Sequence, residues 1–371
     1  MMKKMIGLIV LLTCITLSVV FVVNTNANVT EGPTQDYWIA RHIADYLDVL
    51  MSEINDNELE RMETYAHLTN DAIQHVERLW SLFLRNQESA SELSRTENGN
   101  MLPNIVMIAA PEQGGQSTFM IAFDIMPTEE HIEYVLAYTG IPKERLSMGH
   151  MEFEAQIIPW EDMYRYHDAE ECRSYESHIE PFSFNHIMGE RIVIQDIGGL
   201  TLGHPTRTGA GFFTAPHRNF SGSRPAFTYP AFNRIGSLRW AYQTPQRDVG
   251  FVSTSPYGVF IDTVLPDMFM PITNFRGTAQ AGMRVRSYRG WSGTQQDVWI
   301  FRANAMTSPL ENKILTNPDS ASRGGDSGAA LIHIQGNNVS VLGTRRGVAS
   351  FMSTNGISYI VGVYTAVRFY Y

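Results

Sequence analysis

The spacing of hydrophobic residues changes partway along the chain. Trp38, Ile39, His42, Ile43, Tyr46, Leu47 and Leu50 recur at helical intervals. A second helix is predicted over residues 58–85, with Tyr65, Leu68, Ala72, Val76, Leu79 and Phe83 on one stripe. Residues 89–100 are polar and read as a linker. Residues 105–109 and 118–125 have strand character. Thr128 is placed to cap a helix that carries Ile132, Val135 and Leu136 and stops at Gly140. Residues 151–158 alternate as a further strand. From about residue 185 the pattern becomes one of short β-type runs punctuated by Gly, Pro, Ser, Thr and Arg. They fall at 192–194, 211–214, 238–242, 250–253, 298–301, 330–334, 339–342 and 359–365. Many short strands with turn residues between them predict an all-β sandwich or barrel.

At the start, Met1-Met2-Lys3-Lys4 precedes an uncharged run from Met5 to Val23. A basic head on an apolar run reads as a secretory signal, residues 1–27, cut near Ala27. The run is long enough that an uncleaved membrane anchor is the alternative. Secretion by a bacterium fits the low cysteine use, since only Cys14 and Cys172 are present. Two cysteines exclude a disulfide scaffold, and the absence of CxxC and HExxH removes the common zinc signatures. The stretch from His167 to Cys172 holds metal-ligand residue types but reads as a solvated acidic loop. With 371 residues, 44% of them hydrophobic and 18% charged, the chain has material for about two cored domains.

Charge divides the chain at the same place as the pattern. The net charge is −10, which opposes attraction to nucleic acid. Residues 28–184 carry 9 basic and 29 acidic side chains, a net −20, whereas residues 185–371 carry 17 basic and 9 acidic, a net +8. Opposite charge on two halves favours docking of one on the other. Two independent domains kept soluble by their charges are the alternative.

Three motifs in the second half carry chemistry. Gly324-Gly325-Asp326-Ser327-Gly328 places a serine among glycines. A serine hydroxyl needs a base and an oxyanion site, and the N–H groups of Gly325 and Ser327 are candidates for that site. Gly211-Phe212-Phe213-Thr214-Ala215-Pro216-His217 delivers a histidine at the end of an apolar strand, as suits a general base. Arg247-Asp248-Val249-Gly250 opens another strand with a carboxylate able to hold an imidazole.

In this order and spacing the motifs resemble the chymotrypsin-like serine proteases, nearest to the bacterial streptogrisin and α-lytic protease branch. Leu202-Gly203, Gly282-Met283-Arg284-Val285-Arg286-Ser287 and Gly362-Val363-Tyr364-Thr365-Ala366-Val367 are similar to further segments of that family. The resemblance covers about residues 185–371. It implies an all-β protease domain of two antiparallel barrels, preceded over residues 28–184 by an α/β pro-region with N-terminal helices. By the resemblance Ser327 is the nucleophile, His217 the general base and Asp248 the orienting acid, with no cofactor or metal. Asp326 shapes the oxyanion loop, with Arg286 as its expected partner. A freed N-terminus at Ile192, after Arg191, is the alternative partner. Pro216, Arg218 and Ala329 depart from the family pattern.

The resemblance implies a secreted endopeptidase made as a zymogen. It acts on proteins or peptides, and its own pro-region folds and inhibits it in cis. Processing is expected within residues 180–198. Ala321 and Ser322 stand at the family's pocket positions, and neither is an aspartate that would select Lys or Arg. Arg345 and Arg346 lie near the expected pocket wall. Arginine there would favour Glu or Asp before the scissile bond, against an apolar preference if both are solvated. A catalytically inactive relative serving as a surface-binding module is the alternative function. Another serine hydrolase, of the α/β class, is disfavoured because no GxSxG elbow is present.

Overall fold

The computed structural model describes residues 70–91, 102–112, 117–163, 185–243, 248–307, 311–317, 319 and 322–367. The expected signal, the helix at 38–50, the first turns of the helix at 58–85, most of the linker, the loop from His167 to Cys172, and Ala321 lie outside those residues.

Helix α1 (Asn70–Ser91) buries Ala72, Val76, Leu79 and Phe83, the stripe its spacing predicts. Strands β1 (Ile105–Ala109) and β2 (Phe119–Phe123) follow. Helix α2 (Glu129–Thr139) has the expected ends. Thr128 and His131 exchange side-chain and backbone hydrogen bonds at its start. Gly140 closes it with φ 67°, donating to the Leu136 carbonyl. The chain continues through β3 (Leu146–Ala155), β4 (Ile158–Pro159) and a single turn, α3 (Trp160–Met163).

The second half is built from β5 (Asn185–His186), β6 (Arg191–Ile194), β7 (Gly198–Thr201), β8 (Gly211–Thr214), β9 (Phe220–Thr228), β10 (Arg234–Gln243), β11 (Asp248–Ser253), β12 (Phe260–Ile261), β13 (Arg284–Tyr288), β14 (Gln295–Thr307), β15 (Glu311–Asn317), β16 (Ala330–Gln335), β17 (Asn338–Ser353) and β18 (Ser358–Ala366). The first sheet, β4-β7-β6-β9-β10-β11-β8, curls around Ile192, Leu200, Leu202, Phe212, Leu238 and Val252. The second, β1-β2-β3-β17-β16-β13-β14-β15-β18, contains a closed six-stranded barrel, because β17 also pairs with β18. Val285, Val298, Ile300, Ile314, Leu331 and Tyr364 fill it. A curled antiparallel sheet beside a closed antiparallel barrel is the all-β arrangement expected of residues 185–371.

Two strands overrun the barrel. β14 has 13 residues and β17 has 16, against an ordinary length of about 5–6. Their far ends pair with β1 and β3, so β1, β2 and β3 bridge from β17 back to β14 and close a second ring. Met107, Met120 and Met151 from this bridge pack with Ala305, Phe351 and Val363 from the barrel side. Strands from both sides of residue 184 therefore share one sheet and one core. Buried Glu112 accepts from the amides of Ala303 and Asn304, and Arg302 donates to the carbonyls of Ala110 and Thr118.

Candidate active site

The three motif residues meet where the curled sheet faces the barrel. Strand β8, buried at every position, pairs with β11 and leads into Pro216 and His217. Pro216 fits because Gly250 lies beneath it: a Cβ on Gly250 would fall 2.5 Å from the proline ring. His217 takes a left-handed conformation, φ 55°, and its backbone N–H donates to Asp248 Oδ1 at 3.0 Å. The other carboxylate oxygen of Asp248 contacts His217 Nδ1. One buried carboxylate thus fixes both the backbone and the ring of the histidine. With Nδ1–H facing that carboxylate, Nε2 is left as an acceptor, and it lies 2.6 Å from Ser327 Oγ. The carbonyl of Arg346 is a second acceptor near that hydroxyl, at 3.0 Å.

Burial pushes the Asp248 carboxyl up, but the hydrogen bond and charge of His217 and the charge of Arg346 outweigh it. The net effect holds the carboxyl below the usual carboxylate range. The stability tied to this ionisation is therefore present above the ordinary value of about 3.9 and is lost as pH falls through the lowered one. At neutral pH the group is an anion. Asp248→Asn is expected to lower kcat by about 10⁴-fold with little change in KM, because an amide orients the wrong imidazole tautomer. Steady-state kinetics on a peptide substrate check this.

Asp326 is buried and fully engaged. Its Oδ1 accepts from the amides of Trp291 (3.2 Å) and Ser292 (3.0 Å), and its Oδ2 from the Arg323 amide (2.9 Å) and Ser292 Oγ (2.5 Å). Arg286, the expected partner, is elsewhere. Alternation along β13 turns Val285 and Ser287 into the barrel, and Arg286 pairs with Asp267 at 2.6 Å, beside Tyr288, which donates to the same carboxylate. In the uncut chain Ile192 sits inside β6, opposite Leu200 and Thr228.

The expected pocket arginines separate, because neighbours on a strand face opposite sides. Arg345 is fully buried. It donates to Asp319 Oδ2 at 2.6 Å through Nη2 and to the Tyr364 hydroxyl at 2.8 Å through Nη1. Arg289 holds the other oxygen of Asp319 at 3.0 Å. Burial opposes the Arg345 charge, but Tyr364 and Asp319 outweigh it and hold its pKa above the ordinary arginine value. Arg346 instead lies 3.6 Å from Asp248 and 4.8 Å over the Phe153 ring. Ser322 is half-buried.

The site also contains a residue that no motif marks. The N–H groups of Gly325 and Ser327 both donate to the backbone carbonyl of Gln156, at 2.8 and 3.0 Å. The Gln156 side chain is buried, and its Oε1 accepts from Arg345 Nε at 2.8 Å. Asp319, Arg289 and Gln156 were not anticipated. The only hint was the alternating run 151–158, which shows a strand but not what it pairs with.

No protein-family model and no curated protein matches the chain. Among solved structures it is similar to a chymotrypsin from Cellulomonas bogoriensis, at 20% identity and TM-score 0.37 over 50% of this chain and 92% of that one. It is also similar to a Nocardiopsis protease (17%, TM-score 0.37, 50% and 93%) and to protease A of Thermobifida fusca (16%, TM-score 0.36, 50% and 92%).

Proposed function

We propose that the chain is a secreted serine endopeptidase made as a zymogen. The observation that carries this reading is the buried relay from Asp248 through His217 to Ser327 Oγ, beside two converging amides. Ser327 Oγ attacks a peptide carbonyl carbon while His217 Nε2 takes its proton. The amides of Gly325 and Ser327 hold the oxyanion. His217 then protonates the departing amine, and an acyl-enzyme remains. Water hydrolyses it by the same proton path in reverse.

An inhibitory role for the N-terminal region is supported by its place in the cleft, where Gln156 covers both oxyanion amides. A preference for Glu or Asp before the scissile bond is supported by Arg345, whose Nε donates to the side-chain oxygen of Gln156, where an acidic oxygen would accept a charge-assisted hydrogen bond. Secretion is supported by the basic and apolar start of the chain. The test is fluorophosphonate labelling of the processed protein, followed by hydrolysis of peptides that vary only at the residue before the cut. Label on Ser327 with fastest cleavage after Glu is the expected result. Fastest cleavage after Phe or Leu overturns the acidic preference, and processed protein that neither labels nor cleaves casein overturns the protease.

A further inference from the structure

The segment 153–159 crosses the cleft as a substrate would. On one side β3 pairs antiparallel with β17, Glu154 opposite Val348 and Ala155 opposite Gly347. On the other side Ile158 and Pro159 pair with Gly199 and Gly198 of β7. The strands it lies on have glycines where it comes closest. A Cβ on Gly347 would lie 2.1 Å from the Glu154 carbonyl oxygen, and one on Gly198 would lie 1.9 Å from that of Ile158. Between these anchors the Gln156 carbonyl oxygen occupies the amides of Gly325 and Ser327. One of those amides belongs to the nucleophile's own residue, which places the Gln156 carbonyl beside Ser327. The Gln156 side chain ends on Arg345.

We propose that Gln156–Ile157 is the bond the enzyme cuts in its own chain, and that Arg345, backed by Asp319 and Arg289, is the residue that selects Gln or Glu before the scissile bond. This rests on the protease reading above. The Ser327 Oγ–C bond to Gln156 forms as His217 takes the hydroxyl proton. The C–N bond to Ile157 breaks as His217 returns that proton to the leaving nitrogen. Water then releases Gln156 as a carboxylate, and Ile157 keeps a free α-amine. A glutamate at 156 turns the hydrogen bond from Arg345 into a charge-assisted one, and a lysine brings like charge onto Arg345.

The test follows the full-length chain by intact mass and N-terminal sequencing, alongside fluorophosphonate labelling. The expected result is a first cut that creates Ile157 as a new N-terminus, at a rate independent of protein concentration. The cut is absent in Ser327→Ala. It is faster by about tenfold in Gln156→Glu and slower by about 100-fold or more in Gln156→Lys. Peptides spanning 151–162 with Gln, Glu or Lys at 156, given to the active enzyme, test the same ranking without dependence on how the variant chains fold. A protein that labels on Ser327 and degrades casein, yet leaves 156–157 intact or cuts first within 180–198, overturns the inference and leaves the protease standing. A protein that shows no cut, label or hydrolysis, even after an added protease has trimmed its N-terminal region, overturns both.

Discussion

Replacing Ser327 with alanine is expected to lower kcat by about 10⁶-fold and to abolish fluorophosphonate labelling, while the melting temperature stays within about a degree or two. The two halves of this result come from different contacts. The Ser327 hydroxyl has two partners, His217 Nε2 and the Arg346 carbonyl. Losing one such hydrogen bond costs about 1 kcal/mol. The backbone of residue 327 keeps its own bonds: its amide donates to Gln156 and its carbonyl accepts from Thr201. The turn therefore holds, with the oxyanion amides aimed as before, and only the nucleophile is gone. Active-site titration and a thermal melt on the same preparation check both halves. Residual activity above about 1% would move the nucleophile elsewhere.

Replacing Asp319 with alanine is expected to destabilise the fold by about 3–5 kcal/mol or more, which lowers the melting temperature by about 10 °C. Asp319 stands between Arg345 and Arg289 inside the protein, and the side chains of all three are at most 1% exposed. Its removal strands two guanidinium groups away from water, and arginine cannot escape the cost by losing its proton. The Tyr364 hydroxyl and Gln156 still take two hydrogen bonds from Arg345 but supply no charge. Melts followed by circular dichroism, in the Ser327→Ala background to prevent self-digestion, give the comparison. Arg286→Ala is the internal reference. It breaks a partly exposed pair with Asp267, worth about 1 kcal/mol at most. Equal losses from the two variants would refute the buried-charge account.

Much of this was legible along the chain because the information was local. Both ends of α2 follow from Thr128 and Gly140, whose side chain and conformational freedom act within one helical turn. Of the six strands of the closed barrel, β14, β16, β17 and β18 show as apolar runs while β13 and β15 do not, and the three motif residues stand near strand ends, where motif spacing carries into space. Strand β9 is not visible in the sequence because its Gly, Ser and Pro residues read as turn and only one of its residues, Ala226, is buried. Strand β7 was missed because its two glycines serve a close approach by β4 rather than a packed side chain. Arg286 was misassigned because a motif fixes position but not which face of the strand a residue takes. Gln156 was invisible for a stronger reason. Its environment comes from strands some 170–190 residues further along the chain, and nothing beside it in sequence marks it.

The ring that β1, β2 and β3 close with the barrel bears on what a single cut achieves. Breaking Gln156–Ile157 leaves all seven register pairs between β3 and β17 in place, along with the shared packing of Met107, Met120 and Phe351. The product of the proposed cut would therefore be a nicked two-piece protein, with the new carboxylate of Gln156 still seated beside Ser327. Departure of the smaller piece would leave the ends of β14 and β17 as open sheet edges beside uncovered apolar side chains, an arrangement prone to aggregate. On the proposed cut, the amides of Gly325 and Ser327 would stay covered until the fragment leaves, so the shared sheet and not the broken bond would set when the cleft opens.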